Sequence, residues 1–278
     1  MRWAGGRGSG NIEDRRGLGP AGAVGGLGAG GVILALIGYF VFGIDPSTTT
    51  QVLGGQNVQQ QEGVRGGPAD EAGRFVDVVA TNVDDVWKNQ IQGYRPPDAV
   101  VLYDQATGTG CGMGQAAMGP FYCPADRKVY LDLSFWQELE QKFGAGGEAA
   151  RAYVIAHEIG HHVQNLTGAA EQAQRMGARG AESGSVRLEL QADCYAGVWA
   201  AHAAAVSGGQ IQLDPRDIED GLRAAAAVGD DTLQRKSQGQ VVPDAFTHGS
   251  SEQRMRWFRV GVQAGDPAAC DTFRAARL

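Results

Sequence analysis

The sequence predicts an α+β domain that is dominated by helices, contains a small sheet and is preceded by one transmembrane helix. Three observations support this: an uncharged apolar stretch near the N-terminus, two short apolar segments with strand character, and several longer segments with helical periodicity. The 278 residues, 43% of them apolar, suffice for one large domain. We divide the chain into an N-terminal segment (1–20), a transmembrane anchor (21–44), a flexible tether (45–69) and a folded domain (70–278).

The transmembrane prediction rests on residues 17–44, which carry no charge. From Ala21 onward this stretch has the roughly 20 residues that a bilayer crossing needs. A cleaved signal peptide is the alternative, but no small-x-small cleavage site follows the stretch. Arginines precede the stretch at four positions, whereas the next basic residue after it is Arg65; the four are Arg2, Arg7, Arg15 and Arg16. The positive-inside rule therefore predicts a single-pass protein of the cell membrane, with a cytoplasmic N-terminus and an extracytoplasmic domain.

Glycines recur at every fourth position inside the predicted anchor, at Gly22, Gly26 and Gly30. Such a stripe would allow two spans to pack closely, which predicts a homo-oligomer through the glycine-rich span. Residues 45–69 are rich in Thr, Gln, Gly and Asn, a composition typical of a flexible tether.

The folded domain is predicted to begin with a helix, continue with two strands and end with helices. Its first helix is predicted at Asp70–Ile91, and its strands at Ala99–Tyr103 and Lys128–Leu133, with a glycine-rich loop at Thr107–Gly114 between them. Three later helices are predicted at Glu148–Leu166, at Ser185–Val206 with Ser183 or Ser185 as the N-cap, and from Asp214-Pro215 onward.

Four cysteines bear on the compartment and on the cross-links. An even number in an exported domain predicts disulfides, although four reduced thiols are the alternative. We predict that Cys111 pairs with Cys123, which closes the glycine-rich loop, and that Cys194 pairs with Cys270. The chain has no CxxC pair, so a thiolate zinc site is not expected.

The pattern His-Glu-x-x-His occurs at His157, Glu158 and His161. Residues four apart share one face of a helix, so the two histidines can bind one metal ion together. Imidazole is a good ligand for zinc. The carboxylate of Glu158 follows the first ligand, where it can take a proton from a zinc-activated water. The alternative is a surface helix that happens to be rich in histidine, but three of the five histidines in the chain lie within six positions.

A catalytic zinc ion needs a third protein ligand. Glu189 and Asp193 are also four residues apart, on an otherwise apolar helix. The longer side chain of Glu189 suits the metal, and the shorter one of Asp193 suits a hydrogen bond to a ligating histidine. The spacing of His162 and of His202 puts each on the wrong side of its helix. A solvated acidic face is the alternative for the pair.

His248 lies in a polar turn that leads into a predicted helix. It can donate a hydrogen bond to the oxyanion of a tetrahedral intermediate, or it can cap that helix. The sequence alone favours neither role.

Several stretches of the chain resemble the bacterial neutral zinc metallopeptidases: Met1–Trp3 with Asn11–Gly17, Tyr122–Asp126, Val129–Leu133, Tyr153–Gln164, Glu189–Gly197, Gly229–Asp231 and Thr247–Phe258. The resemblance covers nearly the whole chain and implies a membrane-linked peptidase of unspecified substrate. A more distant likeness to the CAAX prenyl proteases supports Glu189 as a ligand and His248 as a catalytic helper. The chain differs from that group in having a single span.

Together these features predict a zincin-like, membrane-anchored peptidase that binds one zinc ion and cleaves a peptide or protein substrate, with Glu158 as the general base. The strand at 129–133 is a candidate edge on which an extended peptide can pair. The net charge of −7 argues against a nucleic-acid partner. The alternatives are a catalytically silent anchored scaffold with a structural zinc site, which would not need Glu158, and a zinc hydrolase of non-peptide amides.

Overall fold

The computed structural model describes residues 1–18 and 62–278. The predicted membrane anchor, 21–44, and the predicted tether as far as residue 61 lie outside the described residues. Within the two described ranges, no helix is both long enough and apolar enough to cross a bilayer. The domain is α+β and dominated by helices, as the sequence predicts.

In the part of the chain that the structure describes, seven strands form one mixed sheet and one hairpin. The strands are β1 (Ile12–Asp14), β2 (Val64–Arg65), β3 (Ala99–Tyr103), β4 (Ala106–Thr109), β5 (Gly112–Gln115), β6 (Phe121–Cys123) and β7 (Lys128–Asp132). The sheet has the order β2-β1-β3-β7-β6, in which β1, β3 and β7 are parallel and the two edge strands are antiparallel to their neighbours. All five residues of β3 are buried, which explains its uniformly apolar sequence.

The glycine-rich segment predicted as a loop at Thr107–Gly114 is instead a hairpin, in which β4 pairs with β5. One of its glycines allows close packing, because a Cβ atom on Gly114 would lie 2.6 Å from the ring of Phe121 in β6. The disulfide between Cys111 and Cys123 joins the turn of this hairpin to β6. The high glycine content therefore led to the prediction of a loop where two strands pair and pack against β6.

The strand predicted as a substrate edge, at 129–133, is not an edge. It corresponds to β7, which lies between β3 and β6 and is paired on both sides. The edge of the sheet on this side is β6, whose register pairs Phe121 with Tyr130 and Cys123 with Lys128. A peptide that adds to this side of the sheet must therefore pair with β6 rather than with β7.

The described ranges contain eight α-helices: α1 (Glu71–Gln90), α2 (Phe135–Phe143), α3 (Glu148–Thr167), α4 (Ala169–Arg175), α5 (Gly184–Val206), α6 (Pro215–Ala227), α7 (Asp230–Gln238) and α8 (Ser251–Ala264). The predicted helices are confirmed to within one or two residues. Ser183 caps α5 by accepting a hydrogen bond from Val186 N, and Asp214 begins α6 with a capping box. Gly168, in the left-handed conformation, ends α3.

Helix α5 forms the centre of the core and contacts α1, α3, α4 and α8. Its crossing with α8 is very close, because a Cβ atom on Gly261 would lie 1.9 Å from the carbonyl oxygen of Cys194. The second predicted disulfide, between Cys194 and Cys270, is present beside this crossing. The close contact brings Arg254 of α8 against Asp193 of α5.

Residues 1–18, which we predicted as a separate segment, are instead part of the domain. β1 lies inside the sheet, between β2 and β3. The indole of Trp3 packs edge-on against Phe75 and donates a hydrogen bond to Glu148 at 2.6 Å. Arg15 is buried, forms an ion pair with Glu13 and donates to the carbonyl oxygen of Gly108 in β4. The domain therefore includes the first 18 residues and does not begin at residue 70.

The arginines on which the topology prediction rests have partners within this fold. Arg2 donates to the carbonyl oxygen of Gly209, and ion pairs join Arg7 to Asp85, Arg15 to Glu13 and Arg16 to both Asp14 and Asp70. A single crossing that held residues 1–18 and 62–278 on opposite sides of a membrane would require β1 to leave the sheet. The compartment of the domain stays a prediction.

Candidate metal centre and active site

Three predicted ligands meet where α3 packs on α5. The Nε2 atom of His157 lies 3.2 Å from Oε2 of Glu189, and the Nε2 atom of His161 lies 3.5 Å from Oε1 of the same carboxylate. One donor atom from each residue can be chosen so that all three lie within 4.8 Å of one another. Two imidazoles and one carboxylate form a donor set that suits a catalytic zinc ion.

A glycine between the two histidines allows the helices to approach. A Cβ atom on Gly160 would lie 3.3 Å from the carbonyl oxygen and 3.4 Å from the Cα atom of Ala192. Ala192 is three residues after Glu189, so this contact draws the acidic face of α5 toward the histidine face of α3. The second x of the motif, position 160, therefore cannot hold a larger residue without a shift, because it lies against the backbone of α5.

Hydrogen bonds orient both imidazole rings toward Glu189. The Nδ1 atom of His157 lies 2.9 Å from Asp193, and the Nδ1 atom of His161 lies 2.8 Å from Oε1 of Gln164. An acceptor at Nδ1 favours the tautomer that leaves Nε2 free to bind a metal. Gln164 is held in turn, since its amide donates to the carbonyl oxygen of Leu188 in α5.

Asp193 belongs to a buried network that the sequence analysis identified only in part. Arg254 binds both carboxylate oxygens, at 2.8 and 2.9 Å, and the hydroxyl of Tyr153 donates to the oxygen that contacts His157. Burial raises the pKa of Asp193, but the charges of Arg254 and His157 outweigh this and hold the pKa below its usual range. The hydrogen-bond partner of His157 Nδ1 is therefore an ionised carboxylate that Arg254 and Tyr153 hold in place.

The electrostatics of the cluster favour a bound cation. Burial opposes protonation of His157, yet the negative charges of Asp193 and Glu189 prevail and raise its pKa to about 10. Burial likewise raises the pKa of Glu189, but the charges of His161, His248 and His157 lower it well below the ordinary value. Asp193 already has Arg254 as its cation, whereas Glu189 faces two imidazoles, and a divalent cation bound there would supply positive charge while leaving the imidazoles neutral.

Glu158 directly follows the first ligand on α3 and is buried. Burial raises the pKa of its carboxyl group above the ordinary value, against the opposing charges of His161 and His157. A raised pKa makes a carboxylate a better proton acceptor near neutral pH, which is the property that a general base needs.

The other histidines take separate positions. His248 lies on the turn before α8, close enough for the charge of Glu189 to raise its pKa against burial. His162 is buried between the hydroxyl of Tyr122, at 3.0 Å, and the carbonyl oxygen of Arg95, at 2.7 Å. His202 binds the carbonyl oxygen of Gly265 at 2.7 Å. As predicted from their spacing, neither His162 nor His202 is part of the cluster.

We expect Glu189→Ala to lose zinc far more readily than Asp193→Ala. The first change removes a donor atom, whereas the second removes a hydrogen bond to a donor, which usually costs about 10- to 100-fold in metal affinity. Titration with a competing chelator measures both, with the exposed carboxylate of Glu182 changed to alanine as the control. Wild-type affinity in Glu189→Ala would remove this residue from the site.

Comparison with known proteins identifies the family. Residues 1–273 match the family described as "Putative neutral zinc metallopeptidase". The chain is 45% identical to "Uncharacterized protein YpfJ" of Escherichia coli over 293 residues, which span 98% of this chain and 99% of that protein. It is 52% identical to "Uncharacterized protein Mb2605" of Mycobacterium bovis over 219 residues, which span 75% and 74% of the two chains. No solved structure matches the chain. Because the family match covers nearly every residue, the chain belongs to this family of zinc metallopeptidases.

Proposed function

We propose that the protein is a zinc-dependent peptidase whose active site is the cluster of His157, His161 and Glu189 with Glu158 beside it. The observation that carries the proposal is the buried carboxyl of Glu158, which interacts electrostatically with all three residues of the ligand cluster. A structural zinc site is normally closed by four protein ligands and has no use for a base. Three ligands and an adjacent base suit hydrolysis instead, which argues against the silent scaffold.

The residues around the cluster account for the steps of peptide hydrolysis. A zinc ion bound there would polarise the scissile carbonyl and make water more acidic. Glu158 accepts the proton of the attacking water and then delivers it to the leaving amine. His248, on the turn beside Glu189, donates a hydrogen bond to the oxyanion that develops on the carbonyl. Asp193, Arg254 and Tyr153 hold His157 in place throughout.

We propose that the substrate is an extended peptide that pairs with β6. This strand is an edge of the sheet, and it lies against the helix that carries both histidines. The hydroxyl of Tyr122 accepts a hydrogen bond from Asn165 and contacts His162, which fixes β6 relative to α3. A strand edge binds the backbone of a peptide through main-chain hydrogen bonds. This geometry favours peptides over small non-peptide amides.

Membrane attachment through residues 21–44, a homo-oligomer through the same span and an extracytoplasmic domain stay predictions. The two disulfides support an oxidising compartment. Since residues 1–18 belong to the domain, we propose that they lie in the same compartment as residues 62–278.

We expect the purified full chain to bind one zinc ion and to cleave a mixture of unstructured peptides. Chelation should abolish cleavage, and added zinc should restore it, because in the proposed mechanism the metal ion polarises the scissile carbonyl and makes the attacking water more acidic. Metal analysis and mass spectrometry of the peptides measure the two properties. Stoichiometric zinc without cleavage of any peptide would favour the scaffold, and cleavage that survives removal of all metal would contradict the proposal.

A further inference from the structure

The turn that carries His248 is fastened to the start of α7 by one carboxylate. Oδ2 of Asp230 accepts hydrogen bonds from three consecutive backbone amides, those of Thr247 at 2.7 Å, His248 at 2.6 Å and Gly249 at 3.0 Å. In return the amide of Asp230 donates to the carbonyl oxygen of Gly249 at 2.8 Å. Asp230 is only 5% exposed, so this carboxylate is fixed in a largely dry environment.

The second oxygen of the same carboxylate faces the ring of His248. Oδ1 of Asp230 lies 3.4 Å from Nδ1 of His248, and the hydroxyl of Thr247 lies 2.8 Å from the same nitrogen. Both polar partners are therefore on the Nδ1 side of the ring. Among residues 1–18 and 62–278, no hydrogen-bond partner contacts the opposite nitrogen, Nε2, so it is available to another group.

The turn also rests on the helix that provides the third metal ligand. Gly249 has a φ of 90°, and a Cβ atom on it would lie 3.2 Å from the side chains of both Leu190 and Val186 in α5. Leu190 directly follows Glu189. A larger residue at position 249 would strain the backbone and push the turn away from this helix, so the glycine keeps His248 beside the metal cluster.

We propose that Asp230 is a positioning residue that holds the His248 ring by its Nδ1 side and presents Nε2 to the substrate. The inference rests on the proposed peptidase function for its kinetic consequence, but not for its structural one. Burial lowers the pKa of His248 and the charge of Arg254 lowers it further, yet the charges of Glu189 and Asp230 prevail and raise it. With the carboxylate of Asp230 facing Nδ1, a ring that donates to an oxyanion through Nε2 carries a proton on both nitrogens, and the negative charge of Asp230 stabilises that form.

A purely structural role for Asp230 can be separated from positioning with a matched control, because α7 provides a second carboxylate that fastens the same turn. Oδ1 of Asp231 accepts hydrogen bonds from the amide of Ser251 at 2.7 Å and from its hydroxyl at 2.8 Å. These contacts hold the end of the turn and involve Ser251 rather than the imidazole of His248. A general loosening of the turn should therefore follow from a change at either aspartate.

The experiment compares Asp230→Asn, Asp231→Asn, His248→Ala and the double variant Asp230→Asn/His248→Ala in the full chain. The first readout is the titration of the His248 ring in zinc-free protein labelled at its five histidines, with the His248→Ala spectrum to assign the signal. We expect the His248 midpoint to fall by about one pH unit in Asp230→Asn, a typical size for loss of one nearby charge. It should stay unchanged in Asp231→Asn. Asp230→Glu keeps the charge, so its His248 midpoint should stay close to that of the wild type. If Asp230→Asn does not fold, the comparison of Asp230→Glu with Asp231→Asn replaces it.

The second readout is kcat/KM for a cleaved peptide at matched zinc content. We expect Asp230→Asn to lose about 10- to 100-fold, less than the roughly 100- to 1000-fold loss usual for removal of an oxyanion donor. The double variant should be no slower than His248→Ala, because the two residues act as one unit. Equal effects of the two asparagine variants, an unchanged His248 titration in Asp230→Asn, or additive kinetic losses would each overturn the inference. If no peptide is cleaved at all, the titration still decides the positioning of the ring.

Discussion

The Glu158→Gln variant is expected to bind one zinc ion as tightly as the wild type and to cleave peptides about 10²- to 10⁴-fold more slowly. An amide has the shape of the carboxyl group but cannot accept the proton of the attacking water. The three ligand residues and the partners Asp193 and Gln164 are untouched, so metal binding should be preserved. Metal analysis and single-turnover cleavage at matched zinc content separate the two effects.

The unfolding temperature of the same variant shows whether Glu158 has a functional or a structural role. Glu158 is 7% exposed, and burial disfavours its charged form. Replacing it with a neutral side chain of the same shape removes the free-energy cost of burying a charge, so the unfolding temperature should stay the same or rise. Glu182→Gln, at an exposed position, is the matched control. Normal cleavage by Glu158→Gln would show that another group is the base, and a large fall in unfolding temperature would favour a structural role.

Local rules of helix structure predict much of the site. The spacing of four residues places His157 with His161, and Glu189 with Asp193, on single faces, and the structure brings the two faces together. The residues that end the helices are equally local signals. Ser183 and Gly168 act within one turn of the residues that they cap, so a local pattern indicates such positions, although it left Ser183 and Ser185 as alternatives until the structure showed Ser183.

Contacts between distant segments explain what the sequence did not predict. Arg254 reaches Asp193 across 61 positions, and Gln164 reaches Leu188 across 24, and no spacing rule connects either pair. The hairpin at 106–115 was hidden because its glycines suggested a loop, whereas Gly114 provides room for Phe121 and Gly112 adopts a positive φ beside the turn. β1 has only three residues, and its place between β2 and β3 depends on partners up to about 90 positions away.

The arginines near the N-terminus show how one pattern can have two physical origins. Charge bias around an apolar stretch indicates membrane orientation only when those charges are free to interact with the cytoplasmic surface. Here Arg15 is 4% exposed and bound to Glu13, and Arg16 bridges Asp14 and Asp70. The bias is therefore explained by ion pairs of the fold, and it loses most of its weight as evidence for topology.

The second large effect is expected from removal of the N-terminal residues. A fragment that begins at Gly66 lacks β1 and β2 and should not form a stable domain. It loses the buried side chains of Trp3 and Ile12, each contributing roughly 1.5–3 kcal/mol, and it exposes the edge of β3. It also leaves Lys128 without its partner Glu13. These losses are comparable with the whole stability of a typical domain, about 5–15 kcal/mol.

An internal deletion provides the matched comparison, because it removes the predicted anchor while keeping the sheet. Asp14 in β1 pairs with Val64 in the antiparallel neighbour β2, so joining Leu18 directly to Glu62 leaves a short connection between two adjacent strands. We expect this deletion of residues 19–61 to yield a folded protein that binds zinc, and the Gly66 fragment to be sensitive to proteolysis and to melt without a cooperative transition. Circular dichroism and limited proteolysis compare them. A Gly66 fragment as stable as the internal deletion would show that β1 is dispensable, and a single crossing with residues 1–18 on the far side of the membrane would then be compatible with a folded domain.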